Sequence, residues 1–176
     1  VIPTFLFIFL APFIGMVIAF IITILVVHIF KNSNPYKAES KFKRFQLLAS
    51  AAFSLGHGGN DAQKVMGIIG AAFIYYEKTK GNTLTFDSFV HNYSWVPFCS
   101  FLAIGLGTMS GGWKIVKTMG TKITKITPLE GVCADTSGAI TLYLTEHLGI
   151  PVSTTHTITG SIIGVGATKR LSAVRW

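Results

Sequence analysis

Residues 150–166 read IPVSTTHTITGSIIGVG, and the reading of this stretch decides the fold. Pro151 suits a position just ahead of a helix, because its missing N–H would be unsatisfied there anyway. Ser153, Thr154 and Thr155 follow, and Ser and Thr are among the preferred helix N-caps. The remainder is a short, apolar, glycine-containing helix. The first turn of a helix exposes unpaired N–H groups and the positive end of the macrodipole. Hydroxyls and amides gathered at such a start can hold an anion. The chain on both sides is apolar enough for a membrane, and an anion site at a half-helix start inside a bilayer is characteristic of a transporter.

Immediately upstream, residues 131–148 (GVCADTSGAITLYLTEHL) are apolar apart from Asp135 and the final turn. Neither this segment nor 153–166 is long enough to span a bilayer comfortably. With Gly149 and Pro151 between them, the two halves are expected to form a re-entrant helical hairpin over 131–167.

Further out, residues 4–30 are almost continuously apolar and predict a transmembrane helix; membrane helices tolerate prolines such as Pro12. The segment lacks the charged leader of a signal peptide and is too long for its apolar core, so it reads as mature helix. His28 near its end suits the interface. Residues 47–76 are apolar at both ends and polar in the middle, where they read GHGGNDAQK. Gly56, Gly58 and Gly59 loosen the backbone, and Asn60 and Asp61 could cap a restarting helix, so a broken transmembrane helix is expected. Tyr75 and Tyr76 would mark the far interface. After a polar loop at 77–94, residues 95–111 predict a further transmembrane helix, in which Gly107 and Gly111 are spaced for close helix contact. In 113–126, WKIVKTMGTKITKI, apolar residues at helical spacing alternate with lysines, predicting an interfacial amphipathic helix. The whole is an all-α membrane protein.

Composition agrees. Of the 176 residues only 12% are charged, against about 25% in average soluble domains. The net charge of +8 is spread over separate loops without an aromatic-interleaved patch, which argues against a nucleic-acid partner. Bases crowd one side: five in 31–46, four in 110–127 and three in 168–176, against Lys78 and Lys80 on the other. The positive-inside rule then places those three basic loops in the cytoplasm of a multi-pass protein of the plasma or inner membrane. Cys99 and Cys133 lie in apolar segments and make no disulfide framework. The chain begins at Val1 rather than Met, which suggests a piece of something longer.

Three groups of residues could carry chemistry. Asp61 is an ionisable group at membrane depth, where such groups mark an ion or substrate path. Asn60 and Asp61 offer the oxygen ligands that a hard cation such as Na⁺ needs, and a proton on Asp61 is the alternative. Lys64 is placed to pair with Asp61, and either residue of the Asn60–Asp61 pair could simply cap a helix. Ser153, Thr154 and Thr155 suit an oxyanion, because hydroxyls bind it without the trapping strength of a full positive charge. Their alternative role is capping. Asp135, alone in its half-helix, either joins a cation site or bonds to the hairpin tip. His57 could be a metal ligand, though a lone histidine beside glycines is more often a hydrogen-bonding residue, and His156 is as well suited to packing as to binding. A membrane-embedded phosphohydrolase or metal enzyme using His57, Asp61 and His156 is disfavoured, since no cluster has metal-ligand spacing and no nucleophile has a base.

HGGNDAQK at 57–64, TPLEG at 127–131 and PVSTTH at 151–156, in this order, closely resemble the C-terminal repeat of the inorganic phosphate transporter (PiT) family. KITKITPLEG and the terminal KRLSAVRW fit as well, so the resemblance covers nearly all of residues 1–176. It implies secondary active uptake of inorganic phosphate by symport with Na⁺ or H⁺, without an organic cofactor or enzymatic activity. A sulfate symporter of the same family is the close alternative. The family is built from two inverted repeats, each with one Asn-Asp and one Ser-Thr-Thr motif. Carried over, Ser153, Thr154, Thr155 and Asp61 would contact phosphate, and Asn60, Asp61 and Asp135 the coupling cation. Asp135 stands where the family often has glutamate. With one copy of each motif, this chain is expected to be half of an inverted-repeat transporter in the lipid bilayer. Its partner would be the N-terminal repeat or a second copy, as in a homodimer.

Overall fold

The computed structural model describes residues 2–118, 124, 126–170, 172 and 174. Helices are the only regular structure among them: α1 (Ile2–Phe30), α2 (Pro35–Thr79), α3 (Phe86–Asn92), α4 (Trp95–Thr118), α5 (Pro128–His147) and α6 (Thr154–Lys169). Two stretches among the described residues, Thr4–Phe30 and Trp95–Gly112, are long and apolar enough to cross a membrane.

Several boundaries differ from those read in the sequence. The break expected between Gly56 and Lys64 is absent, because α2 runs unbroken from Pro35 to Thr79. Each glycine costs a helix about 1 kcal/mol relative to alanine. Each backbone group left unpaired in lipid costs several kcal/mol, so the chain gains by keeping the helical ladder closed. Most of the expected basic loop at 31–46 is helical too. Asn34 opens it: its Oδ1 accepts from the Tyr36 amide at 3.1 Å and its carbonyl from the Ala38 amide at 3.0 Å. Asn as N-cap followed by Pro at the first helical position is a local start signal that outweighs the charge of the segment. The Glu39–Lys43 pair, 2.9 Å apart at i,i+4, then follows helical spacing. The loop expected at 77–94 holds α3, whose first turn is capped by the Thr85 hydroxyl, 3.3 Å from the Ser88 amide. The helix expected at 95–111 continues through Gly112 to Thr118, with neither proline nor cap to stop it. A separate interfacial helix at 113–126 is therefore not what its first residues form, and 119–123 and 125 lie outside the described residues.

The chain forms two compact units, Val1–His57 with Trp113–Trp176, and Gly58–Gly112. In the first, α1, α5 and α6 make a bundle. Every fourth residue along α1, namely Ala11, Gly15, Ala19 and Thr23, is small and buried, while Phe5, Leu6, Phe9, Phe13 and Leu25 are exposed. Small inside and large outside is the pattern of a helix whose outer surface meets lipid. The matching face of α6 carries Gly160 and Gly164. A Cβ at either position would overlap the main chain of Pro12 or Met16, so α1 and α6 touch backbone to backbone and run in the same direction. Ala19, Cys133, Ala134, Ile162 and Val165 fill one end of the bundle, and Ala11, Leu142 and Val152 the other. The first part of α2 lies alongside α5 in the same direction: Gln46 faces Gly131, Ser50 meets Asp135, Phe53 faces Gly138 and Gly56 faces Leu142.

In the second unit an aromatic cluster joins α3 to the end of α2. The Phe73 ring lies 5.4 Å from that of Phe89 and 4.9 Å from that of Tyr93, and Phe89 is fully buried. Lys80 sits over the Tyr76 ring. Gly107 and Gly111 of α4 have nothing within 4 Å, so the close contact their spacing suggested lies instead at Gly160 and Gly164.

Candidate functional site

The α5–α6 hairpin is built from its turn outward. Ile150 N–H bonds to Thr145 O at 3.0 Å and Gly149 N–H to Glu146 O at 2.9 Å, with Gly149 at φ +66°. This is a Schellman ending, which needs a residue in the left-handed region just past the helix and so favours glycine. Pro151 then bars continuation of α5. Buried Val152 and buried Thr154 pin the turn into the bundle on either side of Ser153. Ser153, Thr155 and His156 remain exposed. The Ser153 hydroxyl caps α6, accepting from the His156 amide at 3.4 Å, while the Ser153 carbonyl takes both the amide and the hydroxyl of Thr157 at 3.0 Å. The leading amides of α6 are left outside the intrahelical ladder. The hairpin tip thus presents two hydroxyls and first-turn N–H groups on an apolar scaffold, donors suited to an oxyanion.

Inside the bundle the other hydroxyls are spent locally. Ser137, Thr141 and Thr145 line one face of α5, each bonded to a carbonyl one turn back, and Ser161 does the same on α6. Asp135 instead reaches across to α2 and accepts from the Ser50 hydroxyl.

Asn60 and Asp61 belong to the second unit. Asp61 pairs with Lys64 at 2.9 Å, as their i,i+3 spacing suggested. Asn60 is 5% exposed, and its Oδ1 is buried without a hydrogen-bond partner. An unmade buried acceptor costs about 1–3 kcal/mol. A helix cap does not explain it, since Asn60 lies inside α2. The His57 ring lies against Phe53, with centroids 6.1 Å apart. Among the described residues no three His, Cys, Asp or Glu side chains gather as a metal site. Asp135 and residues 153–155 share the first unit, and Asn60 and Asp61 the second.

The sequence reading passed over Ser50, whose pairing with Asp135 spans 85 residues and leaves no local signal. It also gave Glu130 no role. Here the signal was present, because Thr127-Pro-Leu-Glu130 is capping-box spacing. The Thr127 amide donates to Glu130 Oε2 at 2.8 Å, and Lys169 Nζ lies 2.6 Å from Glu130 Oε1.

The model of the phosphate transporter family matches residues 30–176, which takes in α2 to α6 and every site residue above. The chain belongs to the phosphate transporter family. Among curated relatives, a probable low-affinity inorganic phosphate transporter of Rhizobium meliloti is 50% identical over 167 residues, covering 95% of this chain and 48% of that protein. The Bacillus subtilis protein of the same description is 45% identical over 168 residues, with 95% and 48% covered. That of Mycobacterium leprae is 35% identical, with 95% and 39% covered. The chain therefore spans about half the length of the first two relatives. No solved structure matches it. Membership in the phosphate transporter family makes this a membrane protein.

Proposed function

We propose that this chain forms one half of a transporter that moves inorganic phosphate across a cell membrane by symport with Na⁺ or H⁺. The observation that carries the reading is the α6 N-terminus, where exposed hydroxyls and first-turn amides stand at a sharp helix–turn–helix tip in an apolar bundle. Ser153 and Thr155 would bind phosphate through hydroxyl and amide, and buried Thr154 through its amide. Asn60 and Asp61 would serve the coupling cation, with the orphaned Asn60 oxygen as one ligand. Asp61 would also border the phosphate, and Asp135 would contribute to a cation site from the hairpin. In this reading the α5–α6 hairpin enters and leaves by the same membrane face. The basic segments 31–46, 110–127 and 168–176 lie in the cytoplasm of a multi-pass protein. The rest of the transport path comes from an inverted repeat or a second copy.

Uptake of labelled phosphate by the reconstituted full-length protein tests this, first under a Na⁺ gradient and then under a pH gradient, with sulfate as competitor. Uptake should drop sharply in Asp61→Asn and in Ser153→Ala with Thr155→Ala. Full uptake in both variants would remove the mechanism, and sulfate outcompeting phosphate would change the substrate.

A further inference from the structure

We propose that the Glu130–Lys169 ion pair sets the axial position of α6 on α5, and so positions the anion donors at the opposite end of α6. Glu130 forms an acid-base joint at the base of the hairpin rather than at its tip. One carboxylate oxygen accepts from the Thr127 amide at 2.8 Å and holds the start of α5. The other meets Lys169 Nζ at 2.6 Å, in the last residue of α6. The Glu130 side chain is 9% exposed and that of Lys169 43%, so the carboxylate is buried and the ammonium half-solvated.

At its start α6 is held by the hairpin turn and by buried Val152 and Thr154, and at its far end by this pair. Its contact face toward α1 sets Gly160 and Gly164 on the main chain of Pro12 and Met16, with Ser161 and Thr157 against Gly15. Toward α5 the side chain of Ile158 lies against Gly138, an apolar contact on a small residue. Such surfaces favour close approach of the helices. The ion pair has one register. A slip of α6 by one turn, about 5.4 Å, would draw the ammonium from a carboxylate that has lost its water. Because α6 is a single rigid helix of 16 residues, about 24 Å long, any such slip moves Ser153 and Thr155 by the same amount. Donors displaced on that scale no longer meet a bound oxyanion. Glu130 and Lys169 are positioning residues, and this role rests on the phosphate-binding reading of the α6 N-terminus.

The two tasks of Glu130 can be separated. Gln at this position keeps the capping box, which accepts Glu or Gln, and removes only the charge. Lys169→Gln instead leaves a buried carboxylate without its partner, the costlier defect. In the reconstituted full-length protein, Lys169→Gln should raise KM for phosphate by about three- to tenfold, with the maximal rate within about twofold. Glu130→Gln should do less, and Glu130→Gln with Lys169→Gln should recover toward Glu130→Gln alone. Amide hydrogen exchange on the same proteins should quicken in Lys169→Gln at 153–157, the far end of α6, and be restored in the double variant. Additive KM effects, or faster exchange confined to 126–132 and 165–170, would overturn the proposal. If the unmodified protein takes up no phosphate, the transport reading fails, and the exchange measurement still decides whether the pair sets the register.

Discussion

Gly160 of α6 rests on the main chain of Pro12 of α1, with no room for a methyl group between the two helices. Gly164 and Met16 repeat the contact one turn on. In lipid, where apolar burial provides little drive for helices to associate, this close approach is the main source of attraction between them. Gly160→Ala or Gly164→Ala should destabilise the protein by about 1–3 kcal/mol through overpacking. Thermal unfolding in detergent reads this as a lower midpoint. Gly107→Ala and Gly111→Ala, at open positions inside α4, should instead stabilise by about 0.5–1 kcal/mol each.

The unpartnered Asn60 oxygen makes a prediction of opposite sign for stability and activity. Asn60→Leu removes a buried acceptor that nothing satisfies. Relieving a penalty of about 1–3 kcal/mol, it should leave the melting midpoint unchanged or raised. Cation-driven phosphate uptake should nevertheless fall to background. A variant that loses both stability and uptake would instead mark Asn60 as a packing residue.

Ser153 caps α6 and is also a candidate anion donor, and Gly and Ala replacements tell the roles apart. Alanine at an N-cap costs about 1 kcal/mol and glycine only a few tenths. Ser153→Ala should therefore melt lower than Ser153→Gly. Both should lose phosphate affinity to the same degree, measured as KM for uptake, because both lack the hydroxyl.

The Ser50–Asp135 hydrogen bond ties α2 to the hairpin. Ser50→Ala should cost about 1.5–3 kcal/mol, the range for a hydrogen bond to a charged group. Adding Asp135→Asn should cost little more, since both changes remove one interaction. If Asp135 also serves the cation, Na⁺ should raise the melting midpoint of the unmodified protein and leave that of Asp135→Asn unmoved.

The elements that were legible in the sequence are those with a local cause. The α5–α6 hairpin follows from Gly149, Pro151 and Ser153, each of which fixes a turn or cap within three residues of itself. The apolar span of α1 follows from composition alone. The start of α2 at Pro35 was equally local, and was hidden only because five basic residues suggested a loop. The break expected at residues 56–64 went the other way. Three glycines and two polar residues weaken a helix, but the gain from closed backbone hydrogen bonds is larger.

By itself the sequence determined an all-helical membrane protein, a hydroxyl-bearing helix start and its likeness to phosphate transporters, because periodicity, capping and motif spacing act between residues close in the chain. Only the tertiary structure decided which glycines meet a neighbouring helix, that Asp135 belongs with Ser50, and that Glu130 closes the hairpin on Lys169. Those partners are brought together by packing between helices far apart in sequence, and short-range chemistry carries no record of it.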